Sequence, residues 1–187
     1  MSTDALSQAF ATTRSVLANV KPDQLDDPTP CASWDVRALV NHIVGGSLWF
    51  GLTTNAGTST EPPEADHTEG DMVANYDRAI AAAIDAFSRP GALEKQIELP
   101  FGTFPGVAFL GLATTDTFTH GWDLARATGQ STDLASELAE QLLAQAKATI
   151  PDQFRGSDGA APFGAEVAID DGAPAADRLA AFLGRSV

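Results

Sequence analysis

An aspartate and a histidine stand four residues apart in the stretch Asp116-Thr-Phe-Thr-His120-Gly-Trp122-Asp123-Leu-Ala-Arg126-Ala-Thr-Gly129. Residues at i and i+4 share one helical face, one turn apart, so a helix here sets a carboxylate oxygen beside an imidazole nitrogen. The chain has only three histidines. A second, His42, falls within an apolar helical pattern far upstream. Two helices that turn His42, Asp116 and His120 toward one point would supply an N, O, N ligand set suited to zinc and neighbouring divalent metals. Three protein ligands leave a position free for water or substrate, the arrangement of a catalytic metal site. The bland alternative is that each histidine is a satisfied core residue, and spacing by itself does not separate the two.

The elements that must position these residues read as helices. Leu6, Phe10, Thr13 and Leu17 recur at spacings of four, three and four, which predicts an amphipathic helix over 4–19 ended by Lys21-Pro22. Ser33 or Thr29 is the expected cap of a second helix, with Asp35 in its first turn and Val36, Leu39, Val40, Ile43, Val44 and Leu48 on its apolar face. Gly45 and Gly46 follow His42 by three and four residues, so they mark either close helix packing or room for a ligand. Trp49, seven residues after His42, is the expected pocket wall. Residues 54–70 form a long polar loop carrying His67, read as a solvated side chain. Asp71 caps a third helix with Tyr76, Ile80, Ala83 and Phe87 inside. Residues 93–104 suggest a crossover with a short strand or hairpin. Pro105-Gly106 opens a fourth helix that runs to about Ala127, with Gly129 as its C-terminal cap. A fifth helix covers 133–149, an irregular wrap follows over 152–173, and a short helix begins at Pro174. This is the pattern of an all-α helical bundle in one domain, with a bundle over about 4–150 and a C-terminal wrap over about 151–187.

Composition narrows the function. The 187 residues carry a formal net charge of -14, which disfavours nucleic-acid binding. No apolar run spans a bilayer and the N-terminus lacks a signal-peptide pattern, so a cytoplasmic protein is expected. The single cysteine, Cys31, excludes an internal disulfide and reads as a core wall. Asp123 and Arg126, at i and i+3, are expected to pair with each other, while Arg126 could also meet an anionic substrate. No phosphate loop, GxSxG elbow or HExxH motif is present.

The stretch Thr29-Pro-Cys-Ala-Ser-Trp34-Asp-Val-Arg-Ala-Leu-Val-Asn-His42-Ile-Val-Gly-Gly46, together with Asp116 through Gln130, resembles the two signatures of the actinobacterial metal-binding proteins related to mycothiol-dependent maleylpyruvate isomerase, in the DinB/YfiT-like superfamily. Asp177 through Arg185 is a weaker third match. The resemblance implies a DinB-like four-helix bundle with a long crossover between the second and third helices and a short C-terminal extension. It implies a divalent metal, zinc or nickel, held by His42, Asp116 and His120, where the isomerase and many relatives carry Glu at the carboxylate position. It further implies a thiol-dependent transferase or isomerase using a low-molecular-weight thiol such as mycothiol on a small electrophile. Gly45, Gly46, Trp49 and Arg126, with Arg185 as the alternative to Arg126, are then the expected substrate-binding residues, in a monomer or homodimer. A metal-bound water acting hydrolytically, or a metal binder without turnover, are the alternatives.

Overall fold

The computed structural model describes residues 3–62, 64–156, 161 and 163–187. Four long helices make the bundle: α1 (Thr3–Leu17), α2 (Val36–Ala56), α3 (Met72–Ser88) and α4 (Gly106–Ala127). A hairpin of β1 (Gln96–Leu99) and β2 (Gly102–Pro105) precedes α4, pairing Gln96 with Pro105 and Leu99 with Gly102. The shorter α5 (Ser136–Thr149) and α6 (Ala175–Phe182) follow. The all-α architecture with a minor hairpin is as the periodicity predicts. Within the bundle α1 packs on α3 and α4, and α2 packs on α3 and α4. Residues 57–71 cross from α2 to α3, and this crossover begins by bonding to β1, Ser59 N–H to Glu98 O at 2.7 Å. No helix of the described residues is long and apolar enough to cross a membrane.

Two apolar clusters hold these elements. One joins Leu6, Phe10, Leu39, Val40, Ile43, Tyr76, Phe87, Phe109 and Leu110 at the centre of the bundle. Each such side chain contributes roughly 1.5–3 kcal/mol on burial. The other joins Phe118 and Trp122 of α4 to Leu138, Leu142 and Leu179, and so fastens α5 and α6 to the bundle. Trp122 satisfies its indole N–H on Asp177 Oδ1 at 2.8 Å.

α1 stops at Leu17 and α5 starts at Ser136, two and three residues inside the predicted bounds, and one predicted helix cap is corrected. Asp71 caps α3 through Ala74 N–H at 3.0 Å, and Gly129 takes a φ of 67° just beyond α4. The cap of α2 is Asp35 itself, which accepts from Ala38 N–H at 2.8 Å, rather than Ser33 or Thr29. Thr29 instead closes the preceding turn through Trp34 O at 2.9 Å. An ionised carboxylate is the stronger acceptor at the positive end of the helix.

Two glycine contacts set the position of the later site. A Cβ at Gly121 would lie 2.2 Å from Thr13 Oγ1, so only glycine lets α1 cross α4 this closely. Gly184, with φ 91°, ends α6 and passes the wrap so closely that a Cβ would fall 2.5 Å from Gly164 Cα. Arg155 clamps the same crossing, donating to Gly164 O at 3.0 Å and Phe182 O at 2.7 Å with its guanidinium 4.4 Å from the centre of the Phe182 ring. This crossing swings Arg185 back toward α4.

Candidate metal centre

The predicted trio comes together. Asp116 Oδ1 lies 3.5 Å from His120 Nε2 on its own helix and 3.7 Å from His42 Nε2 across the α2–α4 contact. All three ligating atoms fall within 4.8 Å of one another. The two carboxylate–imidazole distances exceed an ordinary hydrogen bond, about 2.7–3.2 Å. They suit ligands around one ion: bonds of about 2.1 Å in tetrahedral geometry set neighbouring ligand atoms about 3.4 Å apart. His42 Nε2 is shielded from solvent and has no hydrogen-bond partner among the described residues. A buried lone pair without a donor is costly, and a cation satisfies it. The donor set therefore fits a divalent metal.

A second layer orients His120. Its Nδ1 lies 3.0 Å from Asp123 Oδ2, and an ionised carboxylate only accepts, so Nδ1 carries a proton and Nε2 is the nitrogen turned toward the trio. Asp123 is fully buried and also receives Arg185, Nη2 at 3.2 Å and Nε at 3.3 Å, and the Cys31 thiol at 3.3 Å. Burial raises the Asp123 carboxyl, but the His120 hydrogen bond and the Arg185 charge outweigh it and hold the group below its ordinary pKa. Asp116 follows the same logic: burial raises it, the neighbouring His120 and His42 imidazoles oppose, and it ends well below the usual carboxylate range. Burial likewise lowers His120, but Asp116 and Asp123 dominate and raise it well above the usual imidazole value.

Cys31, His120 and Asp123 form a second group of ligating side chains that shares His120. The two groups use opposite nitrogens of one ring. The Arg185 guanidinium already supplies a positive charge there, 3.2 Å from Asp123 Oδ2 and 3.9 Å from Cys31 Sγ. A second cation would meet that charge, so the His42–Asp116–His120 group is the better seat for an ion.

A cleft of about 470 Å³ reaches His120. It is lined by Pro30 to Trp34, by Gly156, Ala161 and Gly164 of the wrap, and by Leu183, Gly184 and Arg185. Trp34 stands against both imidazoles, with ring centroids 4.6 Å from His42 and 5.6 Å from His120. Of the expected substrate-binding residues, Gly45, Gly46, Trp49 and Arg126 do not line this cleft, whereas Arg185, the alternative to Arg126, does. Trp49 is half-buried against Phe50 and Phe109, ring centroids 5.1 and 5.3 Å away. Gly45 and Gly46 lie on α2 beyond His42, and Arg126 is exposed in the last turn of α4.

Three sequence expectations are corrected. Asp123 pairs with His120 and Arg185 rather than with Arg126. Its place one turn after His120 turns it into the site, where the buried guanidinium of Arg185 is the nearer cation. Cys31 is a cleft residue beside His120 and Asp123 rather than a core wall, because the turn before α2 folds over α4. His67 is partly buried on α2 rather than simply solvated. Asp123 is the site residue that sequence reasoning missed, and the i, i+3 spacing from His120 was the available signal for it.

The family model described as "Mycothiol maleylpyruvate isomerase N-terminal domain" matches residues 6–125, which span α1 to α4 and include all three residues of the trio. Two curated relatives come from Mycobacterium tuberculosis: the uncharacterized protein Rv0738 of strain H37Rv and the uncharacterized protein MT0763 of strain CDC 1551 / Oshkosh. Each is 47% identical over 179 residues, covering 96% of this chain and 93% of its own length. With a family model that matches well over half of its length and spans His42, Asp116 and His120, the chain belongs to the mycothiol maleylpyruvate isomerase N-terminal domain family.

Proposed function

We propose that this protein is a metal-dependent enzyme that brings a low-molecular-weight thiol, of the mycothiol class, to a small electrophile as a transferase or isomerase. The observation that carries the reading is the spacing of His42, Asp116 and His120, too wide for hydrogen bonds and right for shared ligation, with Asp123 fixing the His120 tautomer behind it. A bound divalent cation, zinc or nickel, supplies Lewis acidity that favours the thiolate form of a thiol. The protein's own residues do the rest. Asp123 holds His120 in register, Arg185 balances the buried charge of Asp123, and Trp34 braces both imidazoles. The cleft, walled by Pro30–Trp34 and the C-terminal wrap, admits a small molecule and shields it from bulk water. Family membership supports the thiol, through the family's own description. We place the protein in the cytoplasm, where such thiols are kept reduced.

Elemental analysis of protein purified without added metal tests the first half. About one divalent ion per chain is expected, falling below half in His42→Ala. Unchanged metal in that variant overturns the site. Consumption of a panel of electrophiles with and without mycothiol tests the second half. Turnover that needs no thiol would replace transfer with hydrolysis, and a metal-loaded protein inert with every pair would leave a binding protein.

A further inference from the structure

His42 and Asp116 are the more exposed members of the trio, with 33% and 28% of their side chains accessible, yet neither lines the Cys31–Arg185 cleft. His120 does line it, with 11% of its side chain accessible. The exposed flanks of His42 and Asp116 therefore open on another side of the trio. On α2 that side continues into Gly45 and Gly46, one turn beyond His42. A methyl at Gly46 would meet nothing within 4 Å. A methyl at Gly45 would have one neighbour, His67 Nε2, 3.9 Å away. The two glycines thus form a shelf with an imidazole above it.

The placement of that imidazole is built. His67 N–H donates to Asn41 Oδ1 at 2.6 Å, and His67 O accepts from Asn75 Nδ2 at 3.0 Å. The residues on either side are tied down as well: Asp66 accepts from Asn41 Nδ2 at 3.2 Å, and Thr68 Oγ1 from Arg37 Nη1 at 2.8 Å. Asn41 directly precedes His42, so the loop is registered to the metal trio. By contrast, neither ring nitrogen of His67 has a hydrogen-bond partner among the described residues. Burial lowers the pKa of the ring, against the opposing charge of Asp66, so it is neutral at pH 7 and carries one N–H and one lone pair. A histidine that only decorates a loop requires none of this anchoring.

We propose that His67 is a substrate-contacting residue on a second face of the site, where a small thiol lies on the Gly45–Gly46 shelf and donates its S–H to the free lone pair of the His67 imidazole. The proposal rests on the thiol-handling reading above. The S–H bond breaks with its electron pair left on sulfur, the proton passes to the imidazole, and His67 becomes an imidazolium beside the thiolate. The thiol then reaches the His42–Asp116 edge from the shelf, and the Cys31–Arg185 cleft is left to the electrophile. His67 serves as the base whose neutral form at pH 7 suits that task.

The zinc-loaded full chain, titrated with 2-mercaptoethanol and followed through the long-range proton–nitrogen spectrum of its three imidazoles, tests this. The His67 signals should move on the same saturation curve as those of His42 and His120. His67→Gln should weaken thiol binding about tenfold with zinc content unchanged. Gly45→Leu, which fills the shelf and displaces the ring, should reproduce that loss. If the His42 and His120 signals shift while His67 stays still and His67→Gln binds as tightly as the parent, the proposal is overturned and the thiol reading survives. If no imidazole signal moves at saturating thiol, both fall together.

Discussion

Replacing Asp123 by asparagine separates the two jobs assigned to its carboxylate. The shape is kept and the charge is lost. One oxygen can still accept, but the new amide group points donors at Arg185 or at His120 Nδ1–H, both donors themselves. Neutralising one partner of a buried ion pair costs about 3–5 kcal/mol. Arg185 retains Leu183 O at 3.2 Å as an acceptor and keeps 14% of its side chain accessible, so the lower end, about 3 kcal/mol, applies. For a chain of this length that is a fall in melting temperature of about 6–12 °C for the metal-free protein. Loss of the partner behind a ligating histidine lowers metal affinity about 10–100-fold, or about 1.4–2.7 kcal/mol. Thermal unfolding without metal reads the first effect, and zinc competition against a chromophoric chelator reads the second. Adding Arg185→Met to Asp123→Asn removes the unpaired cation and should restore most of the stability without restoring zinc affinity. Zinc affinity within twofold of the parent in Asp123→Asn would refute the view that Asp123 sets the His120 tautomer.

Three further outcomes follow from the same geometry. Gly121→Ala should destabilise by about 1–3 kcal/mol despite a helix-propensity gain of about 1 kcal/mol, because the methyl displaces Thr13 from Thr117 O; an unchanged or raised unfolding midpoint would show that α1 and α4 can separate. Nickel addition should quench tryptophan fluorescence chiefly through Trp34, so Trp34→Phe should remove most of the response while Trp49→Phe retains it. Asp66 is pulled down to about 2, chiefly by the Thr68 hydroxyl and N–H and then by Asn41. A depressed carboxylate contributes stability that is present above its ordinary value of 3.8 and lost as pH falls through about 2. Carboxyl carbon titration should give that midpoint, with amide protection of His67 lost over the same range; a midpoint near 3.8 would mean the loop is not pinned to Asn41.

Much of the bundle was legible because its signals are local. Asp71, Pro105-Gly106, Gly129 and Pro174 mark helix ends by their own chemistry, and the four- and three-residue recurrence of Leu6, Phe10, Thr13 and Leu17 reports one buried face. The Asp116–His120 pair was legible for the same reason, since helix geometry alone makes the two neighbours. Asp123 was assigned to Arg126 because both lie on one helix; the competing cation, Arg185, is 62 residues away in sequence and invisible to local periodicity. Cys31 lacked a base in its own segment, and its neighbours Asp123 and His120 lie 92 and 89 residues on. His67 read as solvated because its loop is polar, but the loop's Asp66 and the His67 backbone bond Asn41 of α2, and these contacts fasten it there.

The sequence by itself determined the helices, their ends and the residue types that could ligate a metal, because these depend on dihedral preference and spacing within a few residues. Only the tertiary structure decided that His42 meets Asp116, that Asp123 takes Arg185 and not Arg126, and that Trp34 rather than Trp49 stands against the imidazoles. Those outcomes depend on how closely helices cross. Here that is set by Gly121 under Thr13 and by the Gly164–Gly184 crossing that returns the C-terminal arm to α4, and no local pattern along the chain encodes such distances.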